Sequence, residues 1–341
     1  MTDIQTKKQL CKILNFFKKI FQIILYIPIQ IIFIPFAIIG LLDGIYKEMV
    51  KGRKMGISFS AIKTLQYRWN GHYFNIRPDP LSVAFTKKFP YESHFGLWSL
   101  LGALIISKRL FGFTTSSVQL IEPEDTFYST AVTRVRVFDR IMEKNINEIE
   151  QIVLPGVGYD LIALHFTKGK KVKVFELDQA ETLNVKVETL KKAGIKHDWI
   201  TYIPVDYTNE SWIDKLIEAG FDKTKKTLFL WQSVSLFLEE DMVKDTLTQM
   251  ADLCVEGSII AQDFYSKAFI SGEISKMAKR QFNLFEKMGE PTKFALDMSK
   301  APESAVKTFL NECGLKLTEY IQFGKKIDIE PFYCIVEAEK L

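Results

Sequence analysis

Cysteine is scarce in this 341-residue chain: Cys11, Cys254, Cys313 and Cys334 stand far apart, with no C-x-x-C pair among them. Scattered thiols of this kind exclude a disulfide framework and suit a reducing compartment. His165 and His197 are isolated as well, so no cluster has the spacing of a zinc site, and no resident metal is expected. There is no internal repeat and no low-complexity tract. A basic surface that could track nucleic acid is also missing, although the net charge is +4. Residues 1–60 hold nine Lys/Arg against three Asp/Glu, which leaves the rest of the chain slightly acidic. The positive charge brackets one apolar segment rather than spreading over a domain, so no nucleic-acid partner is expected.

That segment, "FQIILYIPIQIIFIPFAIIGLL" (Phe21 to Leu42), runs for 22 residues without a formal charge. As a helix it is long enough for a hydrocarbon core of about 30 Å. Before it, Leu10, Ile13, Leu14, Phe17 and Ile20 share a helical face, and Lys8, Lys12, Lys18 and Lys19 fall mostly elsewhere. This is the pattern of an interfacial amphipathic helix. Lysines precede the segment, and Lys47, Lys51, Arg53 and Lys54 follow it, so the charge rule gives no direction for a single crossing. Pro28 and Pro35 would kink a helix here. A monotopic hairpin, a single span and a buried lid helix all fit. The expectation is membrane association through residues 9–42, with the remaining chain on the cytoplasmic side.

Residues 61–145 read as a helical cap; within it "FGLWSLLGALII" (95–106) is too short to span and suits a packed helix. From residue 146 onward strands and helices alternate. Strands are expected at 151–155, 171–177, 199–205, 227–232 and 257–265. Helical stretches between them stop at Gly194 and Gly220, and one at 239–253 opens on three acidic residues. Further helices are expected near 267–289 and 302–313, before two closing strands, "GLKLTEYIQF" and "EPFYCIVEAE". Alternation of this kind specifies a parallel, doubly wound α/β sheet with an antiparallel edge.

Ligands of such sheets bind at the carboxyl ends of the strands. The first strand ends in Gly156-x-Gly158-x-Asp160, the second in Glu176-Leu177-Asp178, the third in Asp206-Tyr207 and the fourth in Gln232. The glycines allow a ligand to approach the backbone, and Asp178 can accept hydrogen bonds from ribose hydroxyls. A nicotinamide dinucleotide is the competing ligand, but the third glycine of its fingerprint is replaced by Leu161. Asp160 beside the turn would repel a pyrophosphate, whereas a sulfonium cofactor with an α-amino group tolerates it. Glu176 is not assigned as a ligand, and Tyr265 is read as structural.

Several motifs occur in register: "VTRVRVFDR" (132–140), "LPGVGYD" (154–160), "VFELDQ" (174–179), "IPVDY" (203–207), "AGFDKTKKTLFLWQSVSLFL" (219–238) and "MGEP" (288–291). In these the chain resembles the leucine carboxyl methyltransferase-like family of class I S-adenosylmethionine-dependent methyltransferases, over about residues 125–340. The resemblance implies a Rossmann-like, mostly parallel seven-stranded sheet with helices on both faces, S-adenosyl-L-methionine as cofactor, and O-methylation of a carboxyl or hydroxyl acceptor. By position it implies that Arg134 grips the cofactor carboxylate, Gly156 and Gly158 support the methionine moiety, and Asp178 holds the ribose. Asp206 and Tyr207 would hold the adenine. Gln232 stands where the family has Glu, and it can meet an α-ammonium only through its carbonyl.

No His–acid dyad or cysteine nucleophile is evident, so no catalytic residue is assigned; alignment of a carboxylate acceptor needs no base. Coupled to a membrane segment, the expected acceptor is a small or lipid-like amphiphile. A catalytically degenerate membrane-bound binding protein of the same fold and a nicotinamide oxidoreductase are the alternatives.

Overall fold

The computed structural model describes residues 2–115, 130–207, 210–324 and 331–341, excluding the side chains of 2–9, 11, 12 and 132. The amphipathic pattern expected for Lys8 and Lys12, and the thiol of Cys11, therefore lie outside the described side chains.

Seven strands form one sheet: β1 (Gln151–Pro155), β2 (Lys173–Asp178), β3 (Ile200–Pro204), β4 (Thr227–Trp231), β5 (Ile259–Tyr265), β6 (Leu315–Phe323) and β7 (Tyr333–Lys340). Their order is β3-β2-β1-β4-β5-β7-β6. The first five pair in parallel, and β7 runs antiparallel between β5 and β6. This is the expected class I methyltransferase sheet. Its central strands are buried along their whole length, because successive side chains enter different cores on the two faces. Ile152, Leu154, Val174, Leu228 and Leu230 join one core. Val153, Phe175, Phe229 and Trp231 join the other.

Helices α5 (Thr130–Asn145), α6 (Ile162–Thr167) and α7 (Ala180–Lys192) supply Phe138, Leu164 and Leu183 to the first face. Helices α8 (Trp212–Glu218), α9 (Glu240–Leu253) and α12 (Pro302–Glu312) supply Leu216, Leu247 and Phe309 to the second. The stretch expected as one helix at 267–289 is two, α10 (Lys267–Ser271) and α11 (Lys276–Lys287). Gly272 turns the chain at φ +87°, and the Ser275 hydroxyl accepts from the Ala278 amide to restart it.

Ahead of the sheet stand α1 (Thr2–Ile45), a π-helical turn (Tyr46–Gly52), α2 (Phe59–Tyr73), α3 (Pro80–Lys88) and α4 (His94–Phe111). Of the three arrangements left open by the sequence, the hairpin is not formed: helix α1 passes through Pro28 and Pro35 without reversing. Its continuation and α4 run antiparallel: the Gln22 amide donates to the Phe111 carbonyl at one end, and Ser93 donates to Asp43 at the other. Small residues let the backbones touch. A Cβ on Gly96 would lie 2.6 Å from the Gly40 carbonyl oxygen. Trp69, Phe74, Leu97 and Ile105 pack together, so α4 lies between α1 and the body of the protein. The α4 segment is thus a packed helix, five residues longer at its C-terminal end than the apolar run alone indicates.

The outer face of α1 is uncovered. Ile24, Ile31, Ile32, Phe36, Ile39 and Leu42 are each more than half exposed. By length and composition this one helix could cross a membrane.

Candidate active site

The turn after β1 is built for close approach. Gly156 and Gly158 have φ of +66° and +53°, a region that favours glycine. A Cβ at Gly156 would sit 2.6 Å from Val234 Cγ2, and one at Gly158 would sit 2.9 Å from the Ala61 Cβ. The Gly156 amide donates to the Leu177 carbonyl at 2.8 Å, tying the turn to the end of β2. Asp178 completes that tie: its Oδ2 accepts from the Gly158 amide at 2.7 Å and its Oδ1 from the Gln179 amide at 2.8 Å. Burial raises the Asp178 carboxyl above the usual range, against the pull of those two amides.

Asp206 and Tyr207 follow β3, and the Asp206 amide donates to Glu210 at 3.0 Å. Gln232 closes β4. Arg134, from α5, reaches the same space; its Nη1 donates to Ser233 Oγ and, at 3.3 Å, to Tyr265 Oη. Burial pushes the Tyr265 phenol up to about 12 despite the nearby guanidinium, so it is neutral at physiological pH.

All seven sequence-assigned residues, Arg134, Gly156, Gly158, Asp178, Asp206, Tyr207 and Gln232, line one cavity of about 880 Å³. Two side-chain nitrogens in it, Arg134 Nε and Gln232 Nε2, are buried without a hydrogen-bond partner among the described residues. Unpaired buried polar atoms cost roughly 1–3 kcal/mol each, a cost that a polar ligand removes. The far wall is apolar and aromatic, with Phe237, Phe269, Phe282 and Phe285. Arg53, Ile57 and Ser58, which follow the π-helical turn, border the same cavity.

Asp160 has a different role from the one the sequence suggested. Its carboxylate does not wait for a cationic ligand, because Arg68 of α2 pairs with both oxygens, at 2.7 and 2.8 Å. Burial alone would raise Asp160, but Arg68 outweighs it and holds the carboxyl below its ordinary value. Asp160 therefore does not discriminate between cofactors; it fastens α2 over the glycine turn. Glu176 is likewise internal, paired at 2.7 Å with Lys186, both fully buried.

Sequence reasoning missed two features. Glu290 of "MGEP" accepts from the Phe59 and Ser60 amides at 2.8 and 2.9 Å, capping α2 from 230 residues away. Asp263 sits in the apolar strand "IIAQDFY" and is 1% exposed. An acid in such a strand was the available signal.

A carboxylate at the end of β2, a glycine cradle, a guanidinium with an unpaired buried nitrogen and a buried amide suit S-adenosylmethionine. The strand order and the antiparallel edge are those of the class I methyltransferase fold. Within that class the chain is similar to the family described as leucine carboxyl methyltransferase, whose model matches residues 109–251. A Frankia alni protein carrying the name of an S-adenosyl-L-methionine-dependent methyltransferase is 29% identical over 130 residues, 37% of this chain and 45% of that one. Its counterpart in Bacillus subtilis is 22% identical over 196 residues, 56% of this chain and 62% of the relative. The chain spans about half the length of the curated relatives it matches. Among solved structures, the mitomycin 7-O-methyltransferase MmcR aligns with 77% of this chain and 74% of its own, at 16% identity and a TM-score of 0.42.

Proposed function

We propose that this protein is an S-adenosylmethionine-dependent O-methyltransferase that acts on a carboxylate or hydroxyl of an amphiphilic acceptor at a membrane surface. The observation that carries the methyltransferase reading is the convergence of the seven residues on one cavity, where the Arg134 and Gln232 side chains each keep an unpaired buried nitrogen.

Arg134 would hold the cofactor carboxylate through the guanidinium edge that Ser233 and Tyr265 leave free. Asp178 would accept from the ribose hydroxyls, and Asp206 from the exocyclic amine of adenine, with Tyr207 beside it. Gln232 would offer its carbonyl to the α-ammonium. S-adenosylmethionine supplies a methyl group already activated by its positive sulfur. The protein's remaining tasks are to align the acceptor and exclude water, which α2 and α11 favour by roofing the cavity. Its lining includes no histidine among the described residues, which favours an acceptor oxygen that is ionised, or easily so.

Isothermal titration of the full chain in detergent with S-adenosylhomocysteine should give one saturable site. Absence of binding would refute the methyltransferase reading.

Two observations support the membrane and the amphiphile. The outer face of α1 presents a contiguous apolar surface flanked by Lys18, Lys19, Lys47 and Lys51, and isolated proteins rarely leave such surfaces bare. The cavity wall begins at Arg53, directly after the π-helical turn that continues that helix, and includes Phe237, Phe269, Phe282 and Phe285. Ile32→Glu with Ile39→Glu, both at outward positions, should abolish co-sedimentation with anionic lipid vesicles and leave S-adenosylhomocysteine affinity unchanged. Undiminished sedimentation of the double variant would sink the membrane assignment.

A further inference from the structure

We infer that Asp263 is a positioning residue for the cofactor's carboxylate, acting on Arg134 through Ser233. The inference rests on the cofactor reading above. Asp263 lies behind the cavity wall on β5 and does not line the cavity. Its Oδ1 accepts from the Ser233 amide at 2.7 Å, and its Oδ2 accepts from Ser233 Oγ at 2.8 Å and from Tyr333 Oη at 2.7 Å.

Two consequences follow from those bonds. Ser233 has φ +56°, a left-handed conformation that is strained for a non-glycine residue. The Asp263 carboxylate, bonded to both its amide and its hydroxyl, offsets that strain and fixes the bend just after Gln232. The second consequence concerns proton direction. With its hydrogen committed to Asp263, the Ser233 hydroxyl can present only a lone pair to Arg134, and Nη1 donates to it. The guanidinium is thereby anchored by one nitrogen, and its Nε stays buried and unpaired at the cavity. A planar fork held in this way keeps an edge for a bidentate carboxylate.

Asp263→Asn reverses the arrangement. With Oδ1 still accepting from the Ser233 amide, the new NH₂ faces the Ser233 and Tyr333 hydroxyls. The Ser233 hydroxyl must then accept from it and turn its own hydrogen toward Arg134, against the guanidinium. Ser233→Ala removes the link and leaves the backbone bond to Asp263 intact.

The test compares two ligands on the full chain in detergent. S-adenosylhomocysteine carries the amino-acid carboxylate; 5′-methylthioadenosine fills the nucleoside end and lacks it. For Asp263→Asn the first should bind about 10- to 100-fold more weakly and the second within twofold of wild type. Ser233→Ala, which keeps the backbone bond to Asp263, should show the same selectivity with a smaller loss. Equal weakening of both ligands would mean a merely structural role and overturn the inference, as would unchanged binding of both. Wild-type protein that fails to bind S-adenosylhomocysteine would instead remove the cofactor reading on which the inference rests.

Discussion

Arg68→Met should lower the unfolding free energy by about 3–5 kcal/mol, the usual cost of leaving one member of a buried ion pair alone. Arg68 is fully buried and meets both oxygens of Asp160, with Asp79 at 3.7 Å from its other terminal nitrogen. Arg77 bonds Asp79 and Asp139 alongside, so the charges form a chain from α2 to α5. With Arg68 gone, Asp160 is a buried carboxylate whose side chain keeps, among the described residues, the Ile162 amide at 2.7 Å. Adding Asp160→Asn to Arg68→Met should restore part of the loss, because the stranded charge disappears with its partner. Urea unfolding in mild detergent, followed by circular dichroism, measures both. A single-variant loss under about 1 kcal/mol would show that the pair does not fasten the cap.

The same pair sets an acid limit. Asp160 has a folded value below its unfolded one, so its contribution is fully present above the unfolded value of about 4. It is lost as pH falls through the lowered folded value.

Asp178→Ala should weaken S-adenosylhomocysteine binding by about 100-fold, and Asp178→Asn by about 10-fold, in isothermal titration. The alanine variant loses two things together: the acceptor proposed for the ribose hydroxyls and the bond that holds the Gly158 amide at 2.7 Å. Asparagine keeps an oxygen for Gly158 and so preserves the turn, but it offers no charge. Acidification should reproduce the loss in wild-type protein. The folded Asp178 carboxyl is raised by burial, so affinity is present above that raised value and falls away as pH descends through it, earlier than for an ordinary aspartate. Unchanged affinity in the alanine variant would refute the assignment of Asp178 to the cofactor.

These expectations also separate what was legible in the sequence from what was not. β1 was read to the residue, and β2 to within two, because buried parallel strands are short apolar runs bounded by Gly and charged residues. The cavity residues were legible for a related reason: in an alternating sheet, whatever follows each strand arrives at one edge. Asp160 was misread because its partner lies 92 residues earlier, on a helix whose docking no local pattern encodes. Asp263 was passed over because an acid inside a strand announces burial without naming its partners. Helix α1 carried the clearest local signal of all, yet its pairing with α4 depends on Gly40, Gly96 and Gly102, residues that hydropathy alone does not rank.

That pairing has a consequence in time. Gln22 is synthesised 89 residues before Phe111, to whose carbonyl it will donate. At about 5–20 residues per second, the apolar helix waits roughly 4–18 seconds for its partner. During that interval the stripe of Gln22, Tyr26, Phe33 and Gly40 is as bare as the outward face. Whatever apolar phase the nascent chain meets first therefore has the whole circumference of α1 available. Helix α4 later reclaims only the narrow side on which the two backbones can touch.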